Sequence, residues 1–242
     1  MPVLDVKGDA EKVWSKLQAD GVAIVPLDVA YGIFAQRPGA MQRIFEAKGR
    51  SFSKPSGSIG NLAIMQDVML LEPRDLDIAR AIVEDYGLPF SPVAPFRADH
   101  PFFAKLDPFC IERSTKAGTL DMLVNAGPLH NELARLAWER QFPVMGSSAN
   151  RSLSGSKFRL EDIEPEVRAA AAIEIDYGLS RYANAEGISS TILSFPKVEI
   201  LRFGVCYEQI RDILARYFKI ELPPKPQGLK VAGNALGDVK SA

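Results

Sequence analysis

The chain has 242 residues, 47% hydrophobic and 24% charged, with a formal net charge of −1 at pH 7. That balance describes a globular protein and excludes a globally basic nucleic-acid binder, so any grip on an anion must be local. No apolar run approaches the roughly 18 residues of a membrane helix, so no membrane association is expected, and the opening MPVLDVKGDAEKVW lacks the charged-then-apolar layout of a signal peptide.

In chain order, residues 10–20 place Val13, Trp14 and Leu17 on one helical face, with Gly21 suited to the helix end. VAIVP (22–26) reads as a buried strand, and residues 40–47 as a short helix with Met41, Ile44 and Phe45 inward. SIGNLAI (58–64) predicts another strand, and Pro73 opens a helix to about Tyr86. Three prolines between Leu88 and Arg97 predict an irregular or edge segment. LDMLV (120–124) predicts a strand, and residues 128–140 a helix with Leu129, Leu133 and Leu136 on one face. FPVMG (142–146) reads as a buried strand leading into the polar loop SSANRSLSGS. AAIEIDYG, SSTILSF and EILRFG follow, before a last helix near 207–218.

Strands and helices mix without strict alternation, which predicts a single α/β domain over residues 1–218, a twisted mixed sheet with flanking helices. Residues 219–242, rich in Pro, Gly and small side chains from Leu222 onward, read as a flexible tail. Cys110 and Cys206 lie far apart without CxxC spacing and suit free thiols in a reducing cytoplasm. With His100 and His130 the only histidines, neither a zinc site nor a His-based triad is expected, and no residue is assigned to a metal.

Three stretches carry candidate chemistry. PLDVAYG follows the first strand, and Asp28 and Tyr31 there form either a pocket wall or a tight turn with a buried tyrosine. KGRSFSKP (48–55) is either a solvated basic turn or a phosphate grip, with Arg50 offering a planar fork and Lys48 and Lys54 point charges. GSSANRSLSGS (146–156) packs five serines and an asparagine behind a buried strand, as a flexible connector or an anion cradle. No GxxxxGK[ST] or GxSxG occurs, and Ser148 has no evident activating base.

In order, PLDVAYGI (26–33), KGRSFSKP (48–55), GTLDML (118–123), SAN (148–150), SSTIL (189–193) and RFG (202–204) resemble the motifs of the YrdC-like family, the threonylcarbamoyl-adenylate synthases. The family patterns are PTDTVYGL, K-x-R with a following KP, GTVGVR, S-x-N, STVVD and R-x-G. The resemblance covers about residues 10–218. It implies a YrdC-like fold with a concave cleft, and an enzyme joining ATP, bicarbonate and L-threonine into threonylcarbamoyl-AMP with release of pyrophosphate. It further implies Mg²⁺ accompanying ATP, a partner transferase that modifies tRNA, and double-stranded RNA binding in the cleft. Carried over, Arg50 and Lys54 would hold phosphates, with Lys48 completing the positive floor. Thr119, Ser148 and Ser156 fall where ATP is contacted, Asn150 closes S-x-N, Arg202 would meet phosphate from the opposite wall, and Ser190 would approach the amino acid. Lys48, Arg50, Ser148 and Asn150 are thereby the candidate catalytic residues, and Asp28, Tyr31 and Ser190 the candidate substrate contacts.

The departures cluster on the amino-acid side. Leu27 and Val29 replace the two threonines of PTDT, Leu123 stands at the arginine of GTVGVR, and Ile59 lies near the place of a histidine. SPVAP (91–95) replaces PGPxT with Ala94 for its threonine. Three functions therefore stay open: a synthase with a divergent pocket, a related carbamoyl- or adenylate-transferring enzyme with another acceptor, and a non-catalytic nucleotide- or RNA-binding protein.

Overall fold

Asp5 accepts a hydrogen bond from the Gly8 N–H at 3.0 Å and starts α1 (Val6–Gln18), ahead of the predicted start at residue 10. The structure, a computed structural model, describes residues 4–49, 51 and 54–228. After α1 come β1 (Ala23–Val25), β2 (Gly32–Ala35), α2 (Pro38–Ala47), β3 (Gly57–Gly60) and α3 (Leu62–Val68). Next are α4 (Pro73–Arg80), β4 (Ser91–Pro95), α5 (Pro108–Ser114), β5 (Thr115–Lys116), β6 (Thr119–Val124) and α6 (Pro128–Glu139). The last third holds β7 (Met145–Ser148), α7 (Pro165–Arg168), β8 (Ile173–Glu174), β9 (Ile192–Ser194), β10 (Glu199–Arg202) and α8 (Tyr207–Ile213). Helices α2, α4, α5, α6 and α7 begin with proline, whose missing N–H costs nothing in a first turn. Helices α4 and α8 run on through wider turns at Ala81–Asp85 and Leu214–Phe218.

The strands form one mixed sheet in the order β10-β9-β4-β6-β3-β7-β2-β1-β8, with β5 folded back on β6. Pairs β1/β8, β3/β6 and β4/β9 are parallel and the rest antiparallel. Helices α1, α2 and α6 pack on the β1–β3 strands, and the α1 stripe Ala10, Val13, Trp14 and Leu17 is buried there. Along β6 the burial alternates: Leu120, Met122 and Val124 enter the core, leaving Thr119, Asp121 and Leu123 on the other face. No helix among the described residues is long and apolar enough to cross a membrane.

Four expectations are corrected. The strand predicted over 58–64 ends at Gly60, because Asn61 accepts from the Ile64 N–H at 2.9 Å and caps α3. Residues 88–97 are not an edge: β4 lies inside the sheet between β6 and β9. Its prolines are tolerated because the flanking N–H and carbonyl groups carry the pairing, as when the Ser91 N–H donates to the Thr191 carbonyl and the Val93 carbonyl accepts from Phe195, both at 2.8 Å. The strand expected at 142–146 is displaced to Met145–Ser148, so the serines thought to be loop belong partly to the strand. Finally, the start of the presumed tail is docked. Leu222 is buried, its carbonyl accepts from Arg211 Nε at 3.0 Å, and the Pro223 carbonyl accepts from the Tyr207 hydroxyl. Residues 229–242 lie outside the described residues.

Candidate functional site

The cavity-facing positions of β6 meet the Ser-rich segment after β7 and the end of β10 around a cavity of about 560 Å³. Lys54, Lys116 and Arg202 reach its lining from three separate parts of the chain, and Asp121 is the only carboxylate among the described lining residues. A smaller cavity of about 140 Å³ adjoins it, with Pro55, Asp121, Ser148, Ser189 and Arg202 lining both.

Arg202 is the hinge of this arrangement. Its Nε and Nη2 donate to the Ser190 carbonyl at 3.0 and 2.8 Å, and Nη2 also to the Ser190 hydroxyl at 2.9 Å. No described carboxylate lies within 4 Å to form an ion pair with it. Burial draws its pKa below the ordinary arginine value, and Asp121 opposes that shift. A guanidinium held by neutral oxygens keeps its charge available for an anion. Gly204 permits this placement, since a Cβ there would lie 2.2 Å from the Ser190 carbonyl carbon and 2.3 Å from the Thr191 nitrogen.

The structure divides the predicted site residues into two sets. Lys54, Thr119, Ser148, Asn150, Ser156 and Arg202 all line the larger cavity, and Ser190 lines the smaller one. Lys48 also borders the larger cavity but is only 1% exposed, with its ammonium donating to the carbonyls of Ser148 and, at 2.6 Å, Asn150. It thus ties the polar loop to the end of α2. Arg50 lies outside the described residues. Asp28 and Tyr31 both have partners within the fold. The Tyr31 hydroxyl donates to Asp176 Oδ1 at 2.6 Å and the Gly178 carbonyl at 2.9 Å, and the residue also lines the smaller cavity. Burial pushes the Asp28 carboxyl upward, opposed by Arg181 at 3.8 Å, and the residue borders neither cavity.

Several contributors escaped the sequence reading. Lys116 arrives through the tight β5–β6 hairpin, whose Ala117 and Gly118 both have positive φ. The alternation of TLDMLV carried a usable signal for Asp121, because it faces the same side as Thr119. Glu164 has no such signal. Its carboxylate accepts from the Ser154 hydroxyl at 2.7 Å and the Arg151 N–H at 3.2 Å, and pairs with Lys157 at 3.0 Å, so it braces residues 151–157. Burial alone would push Glu164 up, but these partners offset it and hold the carboxyl down to about 2. Enclosed side-chain atoms of Ser114, Asn150 and Ser152, all lining residues, have no hydrogen-bond partner among the described residues. Such atoms are costly unless water or ligand completes them.

Solved structures share this arrangement of elements. A hypothetical protein from Streptococcus mutans is similar with a TM-score of 0.75 and 19% identity, over 88% of this chain and 93% of that one. Sua5 of P. abyssi, solved in complex with L-threonine, is similar with a TM-score of 0.67 and 19% identity over 94% of this chain. This chain spans only 62% of the length of Sua5. E. coli YciO is similar with a TM-score of 0.59 and 14% identity, over 82% of this chain and 90% of that one. No family model matches the sequence, and no curated protein matches it. At these identities the likeness shows the fold, which is YrdC-like, a mixed α/β sheet with flanking helices, as the motif order implied.

Proposed function

We propose that this protein is a threonylcarbamoyl-AMP synthase-like nucleotidyltransferase with an altered acceptor pocket. The observation that carries the reading is the pair of adjoining cavities sharing Arg202, Asp121 and Ser148, one roomy and cation-lined, the other small. A space of about 560 Å³ falls within the ordinary range for small-molecule sites. In it, Lys54 and Lys116 neutralise the triphosphate, with Lys48 adding its field from behind the wall. Thr119, Ser156 and the Ser148–Asn150 segment offer hydroxyl and main-chain groups to ribose and phosphate.

The reaction needs little from the protein beyond positioning and charge. The acceptor amine attacks the carbon of bicarbonate, and water leaves to give a carbamate. A carbamate oxygen then attacks the α-phosphorus, the bond to the β-phosphoryl oxygen breaks, and pyrophosphate departs. The carbamoyl-adenylate left behind is a mixed anhydride, suited to handing its carbamoyl group to an amine such as an adenosine of tRNA. Among the described residues no cluster of three His, Cys, Asp or Glu side chains is placed to hold a metal. Asp121 alone fits the manner in which Mg²⁺ joins one carboxylate to substrate phosphates, and the ion would supply charge neutralisation there.

Calorimetry with ATP, followed by pyrophosphate release with bicarbonate across the twenty amino acids, tests this. ATP should bind, Lys54→Ala should weaken it by about 1.5–3 kcal/mol, and release should require bicarbonate. Absence of ATP binding, or silence with every amino acid, would overturn the reading.

A further inference from the structure

We infer that the small cavity takes a short apolar α-amino acid of the size and shape of valine, with Arg202 receiving its carboxylate. The inference rests on the reading above for its chemistry, but on its own geometry for the ligand. Across the sheet, Ile59 of β3 pairs with Leu123 of β6, and the β4 register brings Ser91 level with Leu123. Leu27 and Val29 close over the same space from the loop before β2. These four side chains give the cavity a hydrocarbon wall beside its serines.

The rest of the lining is polar. The Ser91 and Ser190 hydroxyls lie 3.0 Å apart, both residues are buried, and Arg202 bonds Ser190. Arg202 lines this cavity while no described carboxylate pairs with it. A carboxylate against Arg202 and Ser190 and an apolar side chain against Ile59, Leu123, Leu27 and Val29 would use both kinds of lining at once. A β-hydroxyl turned into the hydrocarbon wall would lose its water without gaining a partner. An apolar pocket rejects a hydroxyl-bearing isostere by a limited factor, roughly a hundredfold at best.

The test is calorimetric titration of the full chain with L-valine, L-threonine and isobutylamine, the last being valine without its carboxylate. Each titration is run alone and with α,β-methylene-ATP present. L-valine should bind, with L-threonine about 10–100-fold weaker and isobutylamine at least about tenfold weaker than valine. Arg202→Gln should bring valine down to the level of isobutylamine. Should that variant fail to fold, the isobutylamine comparison on the unaltered protein decides the carboxylate contact. Threonine binding as tightly as valine, isobutylamine matching valine, or no valine binding in either condition would each overturn the inference. Failure of the nucleotide analogue to bind while valine binds would instead sink the nucleotidyltransferase reading and leave this one standing.

Discussion

Tyr31 shows how a motif residue can belong to the scaffold. It is fully buried, and burial together with Asp176 pushes its phenol well above the ordinary tyrosine range. Its main chain adds two stitches, the N–H donating to Lys157 and the carbonyl accepting from Ala149, both at 2.8 Å. Tyr31→Phe should lower stability by about 1.5–3 kcal/mol, the worth of a hydrogen bond to a charged group, and leave ATP affinity unchanged. Chemical denaturation and calorimetry check this, and unaltered stability with lost ligand binding would return Tyr31 to the substrate. Lys48 follows the same logic with higher stakes, since a buried ammonium needs partners such as the Ser148 and Asn150 carbonyls it bonds.

At the scale of elements, α6 couples the sheet to pH. Gly127, at φ +109°, turns the chain into the helix where a Cβ would lie 2.5 Å from an Asp28 carboxylate oxygen. One turn on, His130 is wholly buried, with Nε2 3.1 Å from the Leu123 carbonyl on β6 and Nδ1 3.4 Å from the Ala126 N–H. The Leu123 contact calls for a proton on Nε2 while Nδ1 accepts from the Ala126 N–H, as in a neutral ring, and burial outweighs the hydrogen bonds with Asn131 and Leu123 to lower its pKa to about 4. Because the folded value lies below the unfolded 6.5, unfolding takes up a proton between the two. Stability should therefore fall by about 1.4 kcal/mol per pH unit from 6.5 toward 4, near 3 kcal/mol in all. Denaturant titrations across that window should show the slope, and His130→Gln should flatten it. A slope that survives the substitution would assign the effect to another group.

For the whole molecule, the last described turns close the fold. Leu222 is 7% exposed and packs into the same core as α8, while Arg211 and Tyr207 hold the carbonyls of Leu222 and Pro223. Ending the chain at Glu221 removes all three, so stability should drop by at least about 1.5–3 kcal/mol, the burial of one leucine. Thermal melting of the truncated chain gives the answer, and an unchanged midpoint would show that docking contributes nothing.

Local chemistry determined much of this protein from sequence alone. Helices α1, α2 and α6 were legible because their apolar residues repeat at helical spacing, and Gly21 marked the end of the first. The order of six short motifs foretold the YrdC-like fold, and with it the wall containing Lys54, Thr119, Ser148 and Arg202. What the sequence could not settle depended on contacts made far along the chain. Proline content argued for an irregular or edge segment between Leu88 and Arg97, yet pairing with β9, about a hundred residues on, placed β4 inside the sheet. In the basic turn Lys48 and Lys54 read alike as point charges, until burial against the Ser148 and Asn150 carbonyls separated Lys48 from Lys54. For Asp28 and Tyr31 the sequence left a pocket wall and a tight turn with a buried tyrosine both open, and only the fold supplied their partners Arg181 and Asp176. Arg202 gained its place from Gly204, whose missing side chain lets two backbone segments touch. Short-range pattern specifies which element forms, but the identity of each polar side chain's partner is a long-range fact that only the folded sheet supplies.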